Sequence, residues 1–305
     1  MHTRLVGTRS TASHYCTGMP RKRWNASLPG LSCPLLFALA LLLAGLAAPI
    51  RADELAQKGR DIFKNHQHAV VTVQIVVKVS YSGASRSSEN RQDLTGTVVD
   101  PSGLTVLALS ACDPSEMYQR MMSEEAAKNR LDIEVTDIRI LLDDGTEIPS
   151  EIVLRDKDLD LAFIRPKAKP ASPMAAVDLS KSTPVQVLDQ VVTLYRLNSA
   201  AGRAYAASVE RITAVIQKPR TFYIPDSTMT STTLGSPAFA LDGNVVGVFV
   251  MRAISAKGGG SRSLRDSMTT IILPSDDILK GAKQAPEAKG GEEKKEALKD
   301  AKEPK

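Results

Sequence analysis

The chain has 305 residues, 43% of them apolar and 24% charged, which suits one sizeable buried core or two small ones and excludes a disordered chain or a multi-span membrane protein. The formal charge of +5 originates in residues 1–52, which hold six of the 39 Lys/Arg (Arg4, Arg9, Arg21, Lys22, Arg23, Arg51) and no Asp or Glu; the remaining 33 basic residues face 34 acidic ones, so no nucleic-acid-binding face is expected. Cys16 and Cys33 lie in the same stretch, leaving Cys112 alone afterwards and no intramolecular disulfide there.

The apolar run LSCPLLFALALLLAGLAAPI at 31–50 follows the basic cluster Arg21-Lys22-Arg23 and precedes Arg51-Ala52-Asp53. Positive, apolar and small residues in that order form a secretory signal, with Ala52 the expected last residue removed. An uncleaved anchor over 31–50 is the alternative, and a start at Met19 rather than Met1 would give the leader a conventional length. Cys33 precedes most of the apolar run, so lipoprotein processing is not expected. Either reading places the folded part outside the cytoplasm, periplasmic or secreted, with membrane contact only through an uncleaved leader.

Residues 53–68 read as a short amphipathic helix, Leu55, Ile62 and Phe63 sharing one face, that closes one end of the domain. From Ala69 the periodicity becomes that of strands: 69–79, 94–100, 104–111, 133–142, 147–156 and 159–166, separated by turn signals such as Asp100-Pro101-Ser102-Gly103 and Asp143-Asp144-Gly145. The series continues through PVQVLDQVVTLYRL, AYAASVERITAVI, AFALDGNVVGVFVMRA and MTTIILP. This predicts an all-β chain of about a dozen strands, too many for one sandwich sheet and natural for two barrels. Residues 113–130 break the pattern with a helix-like surface insertion. Residues 281–305 hold seven Lys and six acidic residues with almost no apolar content, and read as a disordered, solvated tail. The expected layout is therefore a leader (1–52), a folded domain (53–280) and a tail (281–305).

The blocks TGTVVDPSGLTVLALSA, LLDDGTEIPSEIVLRDKDLDLAFIRP and LGSPAFALDGNVVGV occur in an order and spacing that resemble the trypsin-like protease domain of the HtrA (Deg) family, over residues 69–274. The resemblance implies two six-stranded antiparallel β-barrels with a cleft between them. The charged tail occupies the place where a PDZ domain would follow. Catalysis in such a cleft needs a Ser activated by a His, a His oriented by a buried Asp, and backbone N–H groups for the oxyanion. The family's His position falls on Ser110, or on Ala111 if the register shifts by one, so the base is lost in either case. The Asp falls on Asp160. The nucleophile motif falls on Thr232-Thr233-Leu234-Gly235-Ser236-Pro237, which places Leu234 where the nucleophile belongs. Thr232 replaces the first Gly of the oxyanion loop, and a β-branched residue does not readily take positive φ.

No substitute is expected among the remaining residues. His66 and His68 lie at the end of the opening helix and read as surface residues, Ser236 as a turn hydroxyl, and Cys112 as an unperturbed thiol without a cation beside it. Leu234 would fill the space of the lost hydroxyl, and the Ser110 hydroxyl would donate to Asp160; the alternative keeps Asp160 only as a strand-start residue. No His/Cys cluster has metal-ligand spacing, and Asp143-Asp144-Gly145 is a hairpin turn rather than a calcium loop, so neither metal nor cofactor is expected. Gly258-Gly259-Gly260 reads as a mobile surface loop, and Trp24, the only Trp, lies in the leader, which argues against an aromatic base- or sugar-stacking platform.

The function expected is that of an extracytoplasmic pseudoprotease that captures extended polypeptide by strand addition, a pairing that needs neither Ser nor His. The partner would be such a polypeptide or an envelope protein. The alternatives are a scaffold acting through the 113–130 insertion or the tail, and an atypical active serine endopeptidase. The resembled family forms trimers, and a homo-oligomer stays open.

Overall fold

The structure, a computed structural model, describes residues 52–81, 87–115, 131–226, 233–253 and 268–287. Residues 1–51 of the expected leader, most of the 113–130 insertion, the expected loop at Gly258-Gly259-Gly260 and residues 288–305 lie outside them. The described chain opens with α1 (Ala52–His66) and a 3-10 turn (Gln67–Ala69). Six strands follow, β1 (Val70–Tyr81), β2 (Ser87–Val98), β3 (Thr105–Ala108), β4 (Leu131–Leu141), β5 (Glu147–Asp156) and β6 (Leu161–Pro166), with a short helix α2 (Leu109–Cys112) after β3. The second set is β7 (Gln190–Arg196), β8 (Tyr205–Ile216), β9 (Phe222–Pro225), β10 (Pro237–Ala240), β11 (Val245–Ala253) and β12 (Met268–Pro274), followed by α3 (Ser275–Gln284). Each set closes into its own barrel, in the orders β1-β2-β3-β6-β5-β4 and β10-β11-β12-β9-β8-β7. Adjacent strands are antiparallel throughout.

β3, β6, β7 and β10 are nearly continuous apolar runs because both of their faces are buried, whereas β2, β5 and β8 also carry exposed residues. Side chains alternate across a strand. Val71, Val73, Leu107, Ala162 and Ile164 fill the first barrel, while their neighbours Val70, Val106, Ala108, Leu161 and Phe163 belong to a cluster shared by both barrels. In the second barrel Phe249 and Ile272 point inward, and Val248, Val250, Ile271 and Leu273 join the shared cluster. The site described below stands at the edge of this shared layer. The two predicted turns close on glycines in the left-handed region, Gly103 at φ 92° and Gly145 at φ 83°.

Several expectations need correction. The strand predicted over 104–111 stops at Ala108 and turns helical at Leu109. β2 begins at Ser87, ahead of the predicted 94, because its first residues are exposed polar ones paired to β1 and carry no hydrophobic pattern. β9 was not predicted; its four residues are held by pairing with β8 and β12. The domain does not stop at residue 280: α3 runs to Gln284, and a Cβ added to Gly281 would stand 2.9 Å from the Phe163 ring. Arg165 then takes the carbonyl of Pro286 at 2.9 Å, so the folded part extends past the predicted tail boundary. Ile278 and Gly281 are the buried positions that hold this helix against the barrels, a one-sided pattern too short to stand out beside the charged residues after it. No helix among the described residues is long and apolar enough to cross a membrane.

Candidate functional site

Ser110, Asp160 and Leu234 are brought to the seam between the barrels by three different connections. β3 ends at Ala108, and α2 begins with the Leu109 amide donating to the Asp160 carbonyl at 2.9 Å. This contact places Ser110 over the Asp160 side chain. The Ser110 amide donates to Asp160 Oδ1 at 2.7 Å and the Ser110 hydroxyl to Oδ2 at 2.9 Å. Asp160 itself sits at φ 57°, at the end of the β5–β6 turn. That turn is shaped by Asp156 Oδ1, which accepts from the amides of Asp158 and Leu159.

A third donor comes from the other barrel. The Met251 amide of β11 donates to Asp160 Oδ2 at 2.7 Å, crossing the seam. Burial pushes the Asp160 carboxyl up to about 6, while these three hydrogen bonds pull the other way. The carboxylate is thus satisfied by two groups of Ser110 and one of Met251, with no imidazole among them.

Leu234 is 4% exposed and packs in the shared apolar cluster, so its side chain occupies the core rather than presenting an apolar surface in an open cleft. Gly235 fixes the loop behind it. At φ 87°, its amide donates to the Phe249 carbonyl at 2.8 Å and its carbonyl accepts from the Thr97 hydroxyl of β2 at 2.7 Å. A Cβ there would collide with the Thr95 carbonyl oxygen, so glycine is required by both conformation and space. Thr233 is buried, and Thr232, with the oxyanion amide expected of it, lies outside the described residues.

The candidates for a substitute nucleophile or base are placed elsewhere. Ser236 is fully buried, and its hydroxyl has no hydrogen-bond partner among the described residues. Cys112 is likewise buried; its thiol donates to the Leu109 carbonyl at 3.4 Å and is pushed up to about 12, first by burial and then by the charges of Asp113 and Asp160. The thiol was expected to be unperturbed, and the low dielectric around it raises it instead. His66 is not the surface residue predicted: it is half-buried and stacks on Phe239 at 4.4 Å, and desolvation lowers its pKa. His68 is exposed and lies 3.3 Å from the Tyr205 hydroxyl and 3.4 Å from Asp143. Among the described residues no three His, Cys, Asp or Glu gather as metal ligands.

The amides and hydroxyls that organise the seam were not legible beforehand. Thr97, Thr95 and Met251 act through backbone atoms or as ordinary strand residues, and no motif marks them. Away from the cleft, Arg196 reaches across the barrels to Asp143 at 2.7 Å with its guanidinium 3.8 Å over the Tyr205 ring, and Arg203 reaches Asp93 at 2.8 Å.

Two closed antiparallel six-stranded barrels with an Asp, a strand-end residue and a glycine-backed loop meeting between them define a trypsin-like fold. The family model for the trypsin-like peptidase domain matches residues 94–248, and the chain belongs to that family. A curated relative, an Arabidopsis thaliana chain described as protease Do-like 14, is 25% identical over 184 residues, 58% of this chain and 40% of the relative. The chain therefore matches less than half the length of that relative. Among solved structures, the MamO protease domain from Magnetospirillum magneticum in its apo form is similar with a TM-score of 0.44 and 14% identity, covering 72% of this chain and 98% of that one.

Proposed function

We propose that this trypsin-like domain is an extracytoplasmic pseudoprotease, which holds extended polypeptide without hydrolysing it. One observation carries the reading: the carboxylate that would orient a base is occupied by the Ser110 hydroxyl and amide, while the position of the nucleophile holds buried Leu234. A serine hydroxyl without a base is a poor nucleophile at neutral pH, and here the nucleophile's position carries no hydroxyl at all. The cysteine and histidine routes to an activated nucleophile gain no support from the surroundings, since Cys112 is buried with its thiol pushed up and both histidines among the described residues have other neighbours. Strand addition uses backbone groups alone, so polypeptide capture survives these substitutions. The basic and apolar leader at 21–52 supports a location outside the cytoplasm.

The test is fluorophosphonate labelling of the full chain, read by intact mass, beside incubation with reduced, carbamidomethylated lysozyme as an unfolded substrate. The expected result is no adduct, no cleavage, and binding of the unfolded chain by fluorescence anisotropy. A stoichiometric adduct with cleavage would overturn the reading.

A further inference from the structure

Asp160 Oδ2 accepts two hydrogen bonds of different kinds, one from the rotatable Ser110 hydroxyl and one from the fixed Met251 amide of the other barrel. Oδ1 faces the Ser110 amide, another fixed donor. A proton added to this carboxylate has one place where it meets an acceptor. On Oδ1 its neighbour is the Ser110 N–H, which cannot accept it. On Oδ2 it can be donated to Ser110 Oγ, once the serine turns its own hydrogen toward solvent, which its half-buried position allows. The group that loses is the Met251 amide, left with a hydroxyl oxygen in place of an anionic one. Protonation therefore weakens the bond between the barrels and spares the two within the first barrel.

Met251 lies on β11, paired to Thr270 of β12 on one edge and spending its amide across the seam on the other. An amide freed on that second edge is a strand-addition donor. We propose that Asp160 is a proton-operated latch: proton uptake by its carboxylate releases the Met251 amide, and the main-chain carbonyl of an extended polypeptide takes the carboxylate's place. The proposal rests on the capture reading above and names how that same site is regulated.

The elements around Asp160 leave it as the responsive group. α2 presents Cys112, whose thiol stays protonated, with Asp113 after it. β5 and its turn carry Arg155, Asp156, Lys157 and Asp158. On β11, Arg252 holds its guanidinium 4.9 Å over the Phe222 ring. Burial raises the Asp160 carboxyl to about 6 against the downward pull of its three hydrogen bonds, and no charged neighbour contributes.

The test uses the full chain labelled with 15N-methionine, the Met251 amide being assigned by Met251→Leu, and fluorescent reduced, carbamidomethylated lysozyme as the probe. On acidification from pH 8 to pH 5 the Met251 amide resonance is expected to move upfield, its exchange protection to fall, and probe affinity to rise about tenfold, the worth of one hydrogen bond. Ser110→Ala removes a donor that favours the anion and should move the midpoint up by about one pH unit. Asp160→Asn should bind the probe at pH 8 as the native chain does at pH 5; if it does not fold, Ser110→Ala carries the comparison. A Met251 amide that does not titrate, or probe binding equal or weaker at pH 5, overturns the latch alone. Probe binding absent at every pH overturns the capture reading and the proposal with it.

Discussion

Replacing Asp160 with Ala isolates the energetics of the seam. The substitution leaves the part-buried amides of Ser110 and Met251 without their acceptor, at about 1 kcal/mol each, the low end for an orphaned donor. The carboxyl's own ionisation adds a pH dependence of known sign. Its pKa is raised to about 6 in the folded chain from an ordinary 3.8, so its stabilising contribution is fully present below pH 4 and lost as pH rises through 6. Between pH 4.5 and pH 7.5 this amounts to about 2 kcal/mol. The expected cost of Asp160→Ala is about 4 kcal/mol at pH 4.5 and about 2 kcal/mol at pH 7.5. Urea unfolding of both chains, followed by far-UV circular dichroism across that range, measures the difference, and other carboxylates cancel in the comparison. A cost that grows with pH would refute the reasoning, because it would mean that the three hydrogen bonds outweigh burial and hold the carboxyl below its ordinary value.

Three further outcomes are expected. Gly235→Ala should destabilise by about 2–4 kcal/mol from positive φ and collision with the Thr95 carbonyl, whereas Gly145→Ala, at similar φ with open space around it, should cost about 1 kcal/mol; urea midpoints compare them. Leu234→Ser should lose about 2–5 kcal/mol of core packing and still take no fluorophosphonate label by intact mass, since Ser110 supplies no imidazole. In the native chain at pH 8, peptide mapping after iodoacetamide should find Cys112 unmodified, and full modification should appear in urea, because burial holds the thiol protonated near 12.

Ser110, Asp160 and Leu234 could each be assigned by position because three sequence blocks keep the order and spacing of a trypsin-like domain. The reach of the Ser110 hydroxyl to Asp160 was one of two readings the sequence left open, and the structure has it, as a buried carboxylate seeks donors. The Met251 amide did not follow, because every strand residue carries an identical N–H and only the packing of β11 against the β5–β6 turn selects this one. His66 read as a surface residue because its neighbours in sequence are polar, yet its ring meets Phe239, which lies 173 residues further along the chain.

The amino-acid sequence by itself determined most of the strands and the barrel count, since runs such as LAFIRP and PAFA bury both faces and can do so only between two layers. It also put Ser110, Asp160 and Leu234 at the three positions that the resemblance marks, and residue identity there is a matter that packing does not change. Tertiary structure decided where β9 and α3 lie, because four residues and one short apolar stripe gain their definition from the partners they pair with. It also decided that Asp160 ties the barrels together. Hydrogen bonds between backbone and side chain over 91 residues depend on the closed barrels bringing their edges within 3 Å, and leave no mark in local composition.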